Sequence, residues 1–358
     1  GGAALSDRFT RTRIAPEYGG TVVYCNDAMN GLDTLNRLMD PAARRQLEAE
    51  LGEREFAPRP SAGAPGGEQP ESEQRSSRIS VDVPLPPVPD LDRHVEMEAD
   101  LDEIWSFVNP QMLYGRHLGF KGRFSEALEA GDVKAKDLEK KIEAVKAECR
   151  AGAMRVHAVW QLFEAEGEGN RIHVFGADDR SQPIATFAFP RQRKPDGLSL
   201  PDLVLPPQRD AQGRIVRRDT IGIFVVTAGI GIAERAEQAK RAGEYLRSYA
   251  LQALALETAE GAAEWMHARM RAMWGFPDPP ELTKKDVFQA HYRGKRYSFG
   301  YPACPEMEAQ APLFTLLRPE EIGIELTEGF MMDPEASVSA LAFHHPGASY
   351  FSVGPGEE

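Results

Sequence analysis

The stretch TIGIFVVTAGIGIAE, residues 220–234, decides the fold class. Its first half is an apolar run rich in β-branched residues, the pattern of a buried strand, and Gly229 and Gly231 then lead into a helical pattern. A strand running through Gly-x-Gly into a helix imitates the phosphate-binding turn of a doubly wound nucleotide fold. Here Glu234 replaces the third glycine and would set negative charge beside any phosphate. The segment that follows, residues 234–276, reads as one long helix with no returning strand soon after. The glycines are therefore expected to turn the chain, and a Rossmann-type enzyme fits poorly.

Outward from that strand, MRVHAVWQLF (154–163), RIHVFG (171–176) and IATFAFP (184–190) also read as strands, and SALAFHHPGASYFSV (339–353) reads as a hairpin around His345–Ser349. DVKAKDLEKKIEAVKAECRAG (132–152) reads as a charged amphipathic helix. Gly and Pro separate these segments more often than helices do. The expected fold is therefore α+β, a mostly antiparallel sheet with long flanking helices. Ahead of it, APRPSAGAPGGEQPESEQRSSR (57–78) has little to bury and reads as a mobile linker, and ISVDVPLPPVPDLDRH (79–94) is proline-dense and extended. Before the linker, TVVYC (21–25) reads as a strand, and DAMNGLDTLNRLMD (27–40) and PAARRQLEAELGERE (41–55) as helices. These resemble the end of an α/β domain. The expected organisation is thus 1–56, a linker over 57–95, and a main domain over 96–358.

Composition narrows the function. The 358 residues carry 42 Lys plus Arg against 55 Asp plus Glu, a formal charge of −13, which argues against neutralising nucleic-acid phosphates. The three cysteines form no Cys-x-x-Cys pair, which suggests neither a zinc knuckle nor a disulfide framework and fits a reducing cytoplasm. The sequence reads without a charged-then-apolar stretch or an apolar run of about 18 residues, so neither a signal peptide nor a membrane span is expected.

The long helical segment raises a question. Ala242, Leu246, Tyr249, Ala253 and Leu256 follow one helix face, which continues through Glu260, Ala263, His267, Met270 and Trp274. A carboxylate and an imidazole thus fall among core positions. Either the helix end emerges from the core, with Glu264 and His267 as an i, i+3 pair, or the helix delivers Glu260 to a ligand pocket. Glu264-x-x-His267 also spells half of a di-iron signature, but that site needs a second copy and two more glutamates, so no metal is expected. Asp92-x-His94 has the spacing of a cobalt-ligating loop, yet Met97 stands where that loop needs glycine, and it reads as surface.

HYRGKRYSFGYPACPEM (291–307) is the most specific stretch. The planar fork of Arg296 matches a carboxylate, which it can bind through two parallel hydrogen bonds. Pro302 and Pro305 stiffen the turn and expose backbone groups suited to a planar ring, and Tyr301 offers a face for stacking or for a cation. Carboxylate, ring and cation together describe an amino-acid nucleotide, although a rigid turn beside a surface arginine fits the same residues. Cys304 has no base beside it in sequence and reads as a packed small residue.

Arg296-x-x-x-Gly-Tyr-Pro-Ala-Cys-Pro305 resembles the S-adenosylmethionine motif in the C-terminal reactivation domain of cobalamin-dependent methionine synthases. FVNPQMLYGRHLGFKG (107–122), TIGIFVVTAG (220–229) and LTEGFMMDPEASVSALAFHHPGASYF (326–351) resemble other parts of that domain in the same order, and residues 1–39 resemble the close of the family's cobalamin-binding domain. The resemblance implies that Arg296 holds the ligand carboxylate and that Gly300, Tyr301 and Ala303 line its site. It also implies contributions from Tyr350, Phe351 and Glu260, with Asn109 where some members carry aspartate and Phe351 where some carry tyrosine. Within the remnant of the cobalamin-binding domain, the resemblance implies Gly2 and Ala3 as cobalamin-binding residues. The implied function is methyl transfer from S-adenosylmethionine to cob(I)alamin during reductive reactivation, with no catalytic side chain. The implied partners are a cobalamin-binding domain and a flavodoxin-like electron donor, docked through Arg191, Arg193 and Lys194 or through Arg293 and Lys295. The alternative is a sensor that binds S-adenosylmethionine, or a partner of a corrinoid protein, without methyl transfer of its own.

Overall fold

The computed structural model describes residues 7, 10–25, 28–53, 72–177 and 179–353. The chain divides into two compact units, Gly1–Glu71 and Ser72–Glu358. In the smaller unit, α1 (Ala28–Met39) and α2 (Pro41–Glu53) form a helix pair. Asp40 caps α2 by accepting from the backbone N–H groups of Ala42 and Ala43 at 2.8 and 2.9 Å, with Pro41 in the first-turn position where a missing N–H costs nothing. Residues 21–25, expected as a strand, pair with no other strand among the described residues, and apolar sequence alone does not make a ladder.

The larger unit is α+β, as expected. Its strands are β1 (His94–Glu96), β2 (His157–Glu168), β3 (Arg171–Phe175), β4 (Pro183–Ala188), β5 (Gln208–Arg209), β6 (Ile215–Arg217), β7 (Asp219–Thr227), β8 (Lys295–Tyr297), β9 (Glu325–Leu326), β10 (Met332–Asp333) and β11 (Ser337–Phe343). The principal sheet runs β4-β3-β2-β7-β11-β8, with β1 also paired to β2, and each of its ladders is antiparallel. The other four strands form two short ribbons. The helices are α3 (Leu101–Trp105), α4 (Phe124–Glu129), α5 (Val133–Glu148), α6 (Ile232–Arg241), α7 (Tyr245–Met273), α8 (Lys284–Phe288) and α9 (Ala311–Leu317).

The sheet is covered on both faces, which is why β7 is buried along its whole length and reads as a continuous apolar run. Ala158, Trp160, Leu162, Phe224, Val226, Ala340 and Ala342 pack with α7 in one core, while Val159, Phe163, Ile221, Ile223, Val225, Leu341 and Phe343 build a second core on the opposite face. Residues 79–93 have no regular structure, and Ile79 and Leu85 pin that lead into the larger unit.

Three expectations need correction. The long helical segment is two helices, broken where Gly243 takes a φ of +80° and Glu244 N–H closes the end of α6 on the Ala239 carbonyl at 2.9 Å. Leu246 and Tyr249, read as core, are half exposed near the start of α7, and burial becomes nearly all-round only from Ala250 onward. The carboxyl-terminal hairpin is a single strand, β11. Beyond it Pro346 offers no N–H, the Ala348 N–H turns back to the His345 carbonyl, and residues 349–353 run past the Gly-Tyr-Pro turn, where the Val353 N–H meets the Pro302 carbonyl at 3.0 Å.

Candidate ligand-binding site

Register sets the site. Arg296 on edge strand β8 lies opposite Ala342 of β11, a residue of the core facing α7, so the Arg296 side chain points toward that helix. On α7, Glu260 and Glu264 stand one turn apart. Arg296 Nη2 lies 3.2 Å from Glu260 Oε2, and Arg296 Nε lies 3.4 Å from Glu264 Oε2. Burial disfavours the guanidinium charge, but the two carboxylates more than offset it and hold the Arg296 pKa above its ordinary value.

The arginine forms part of the wall of a cleft of about 550 Å³, lined also by Phe107, Asn109, Met112, Glu257, Tyr292 and Tyr350. That volume suits a small ligand. The Tyr301 hydroxyl donates to Glu260 Oε1 at 3.3 Å, and the Glu260 charge, with burial, holds the Tyr301 pKa above the usual phenol value. At the other end His117 Nε2 and Glu257 Oε1 are 2.9 Å apart, and burial raises the Glu257 pKa against the lowering influence of His117.

Of the residues singled out in the sequence, Asn109, Glu260, Arg296, Tyr301 and Tyr350 line this one cleft. Gly300 is exposed in the turn, Ala303 is buried in the core on the far side of the sheet, and Phe351 packs partly against that same core. The turn spends much of its own hydrogen bonding internally: Gly300 N–H donates to the Cys304 carbonyl, and Cys304 N–H to the Tyr301 carbonyl, each at 2.8 Å. Cys304 is buried, and desolvation pushes its thiol up to about 12. Gly2 and Ala3 lie outside the described residues.

Sequence reasoning missed the partners of Glu264. Its Oε2 accepts from the Tyr292 hydroxyl at 3.0 Å, and its Oε1 faces Arg271 Nη1 at 3.7 Å. The expected pair with His267 is stretched to 4.0 Å. His267 is fully buried, and its Nδ1 accepts from Arg271 Nη1 at 2.9 Å, so it is neutral, with desolvation and then Arg271 holding its pKa well below the usual value. Two of the proposed docking cations also prove buried. Arg191 is consumed by Asp202 at 2.6 Å and 3.0 Å, and Lys295 donates to the carbonyls of Tyr292 and Gly294. Gly229, from the glycine pair, lies where a Cβ would meet Pro334 at 2.6 Å, so that residue serves close packing.

A family model described as "Vitamin B12 dependent methionine synthase, activation domain" matches residues 100–358. The chain belongs to that family. It is 28% identical over 378 residues to the methionine synthase of Mycobacterium tuberculosis (strain ATCC 25618 / H37Rv), covering 99% of this chain and 32% of that protein. The methionine synthase of Mycobacterium leprae (strain TN) is 26% identical over 382 residues, covering 99% and 31%. The chain therefore spans about a third of the length of these relatives. The crystal structure of the MetH reactivation domain bound to AdoHcy superposes with a TM-score of 0.66 at 25% identity, covering 76% of this chain and 84% of that one. Among the described residues no group of three or more His, Cys, Asp or Glu could hold a metal ion, and no helix is long and apolar enough to cross a membrane.

Proposed function

We propose that the larger unit binds S-adenosylmethionine in the cleft beside Arg296 and presents its methyl group for reactivation of a cobalamin-dependent methionine synthase. The observation that carries this reading is the meeting of Arg296, Glu260, Tyr301 and Tyr350 in one cleft within a chain of the activation-domain family. Arg296 takes the ligand carboxylate, Glu260 faces its ammonium group, and Tyr301 and Tyr350 flank the nucleoside. Asn109 adds a neutral hydrogen bond where a carboxylate would add charge. The sulfonium is already an activated methyl donor, so these side chains need only bind, orient and shield it. Cobalamin, when bound by its own domain, supplies the nucleophilic cobalt. Electrons come from a flavodoxin-like donor, with exposed Arg293 as a docking residue.

Calorimetric titration of S-adenosylmethionine into the unaltered protein and Arg296→Ala tests the assignment. Removing one partner of a buried, charge-assisted contact costs about 2–5 kcal/mol, an affinity loss of about 30-fold or more. Equal affinity in both proteins overturns the site.

A further inference from the structure

A second arginine stands behind the cleft, and the assigned ligand contacts do not use it. Arg271 on α7 has a side chain only 1% exposed. It is fixed on several sides: Nε donates to Asp278 Oδ1 at 2.6 Å, Nη1 donates to His267 Nδ1 at 2.9 Å, and the guanidinium lies 3.9 Å from the centre of the Tyr292 ring. Its Nη1 also faces Glu264 Oε1.

The consequence lies in how Glu264 meets Arg296. A carboxylate beside a guanidinium tends to close a two-point pair, one oxygen on each of two nitrogens. Here Arg271 Nη1 faces Oε1 at 3.7 Å as an ion pair without a hydrogen bond, and Oε2 accepts from the Tyr292 hydroxyl, so Glu264 reaches Arg296 through Oε2 on Nε alone. The Nη edge of Arg296 is left to Glu260. These two carboxylates are not equivalent: the Glu264 side chain is 12% exposed and held by three neighbours, whereas that of Glu260 is 44% exposed and touches Nη2 from the solvent side. Glu260 can move away when a ligand arrives, and Glu264 cannot.

We propose that Arg271 is a positioning residue that, by engaging Glu264, keeps Glu264 from capturing the Arg296 fork and so makes the cleft selective for ligands bearing a carboxylate. This rests on the reading of the cleft as an S-adenosylmethionine site. Without Arg271, Glu264 closes on Arg296 at two points, and the ligand carboxylate then competes with a buried carboxylate of the same protein. Groups of the ligand that do not touch Arg296 are unaffected.

The test compares S-adenosylmethionine with decarboxylated S-adenosylmethionine, which keeps the nucleoside, sulfonium and amine. Both are titrated into the unaltered protein, Arg271→Gln and Tyr292→Phe, with the ratio of the two dissociation constants as readout. A purely structural role weakens both ligands together and leaves the ratio alone. The expected result in Arg271→Gln is a rise of about tenfold, equivalent to about 1.4 kcal/mol, in the dissociation constant of S-adenosylmethionine relative to that of the decarboxylated ligand, through weaker binding of the carboxylate ligand only. Tyr292→Phe keeps the ring under Arg271 and removes the hydroxyl that donates to Glu264 and meets Tyr350, a smaller change than Arg271→Gln, and any effect through Tyr350 falls on both ligands alike and leaves the ratio alone. Through Glu264 this variant is expected to shift the ratio in the same direction by about threefold. An unchanged ratio in folded Arg271→Gln overturns the proposal, as does an unchanged ratio in Tyr292→Phe where that is the variant that folds. No binding of S-adenosylmethionine by the unaltered protein overturns the functional reading and this one together.

Discussion

His267 links the buried network to pH with a sign that the structure sets. It is fully buried, its Nδ1 accepts from Arg271, and desolvation and then that guanidinium oppose protonation, so the folded pKa lies well below 6.5. The unfolded chain protonates the same imidazole near its ordinary value. Between the two values the unfolded state binds more protons, so stability is complete above pH 6.5 and falls as the solution is acidified below it. One such group contributes RT ln(1 + 10^(pKa − pH)), so moving from about pH 7.5 to about 5.5 removes about 1.4 kcal/mol. His345 is lowered as well, chiefly by desolvation, and adds its own slope, so the informative quantity is the difference between the protein and His267→Asn. The Asn side-chain oxygen can still accept from Arg271, but nothing there titrates. All four tryptophans, Trp105, Trp160, Trp265 and Trp274, lie in the larger unit, so their fluorescence during urea unfolding reports on that unit alone. The expected outcome is a pH dependence shallower in His267→Asn by about 1.4 kcal/mol over that interval. Equal pH dependence in the two proteins would refute a neutral, Arg271-bound His267.

Gly294 has a φ of +74° just before β8, and a Cβ there would meet the Phe343 carbonyl oxygen at 2.4 Å, so Gly294→Ala is expected to cost at least about 2 kcal/mol in urea unfolding and to weaken ligand binding by moving Arg296. Cys149 and Cys304 are buried, with desolvation pushing their thiols up to about 11 and about 12, so iodoacetamide followed by mass spectrometry is expected to find both unmodified near pH 8 until urea is added. S-Adenosylmethionine is expected to bind more tightly than the neutral-sulfur S-adenosylhomocysteine, by an amount that shrinks with added salt in calorimetric titrations. A sulfonium about 7 Å from one uncompensated carboxylate gains about 0.6 to 2.4 kcal/mol between bulk-water and near-surface dielectric.

Much of this architecture was legible because burial on two faces leaves a strong trace. The run at 220–227 is apolar without alternation since α7 covers one side of β7 and a second core covers the other. The Arg296 motif was legible for a different reason: a guanidinium five residues ahead of a proline-stiffened turn is a local feature, and local chain geometry keeps both at one cleft. The failures all involve information that spacing does not hold. A 3.6-residue period passes through Gly243 undisturbed, although one positive φ there ends α6. His267 looked like the partner of Glu264 because they are three apart on one helix. Tyr292 and Arg296, which claim that carboxylate instead, arrive from β8 and the residues just before it. Arg191 and Lys295 counted as surface charges until the fold buried them, one on Asp202 and the other on backbone carbonyls.

The charge of the cleft bears on the order of events at the site. Its lining includes Glu257, Glu260, Glu264 and Glu335 against Arg116 and Arg296, an excess of acidic groups around one conspicuous arginine. A site built for anions would have the opposite balance. On the proposed reading the ligand brings one carboxylate and two cationic centres, ammonium and sulfonium, so Arg296 meets the single negative group while the carboxylates face the positive ones. Methyl transfer turns the sulfonium into a neutral thioether and removes one of those positive charges. The same acidic lining that draws the donor in therefore holds the spent product less tightly. Discrimination between them follows from where Glu260 and Glu264 stand on α7 and from the edge strand that sets Arg296 between them.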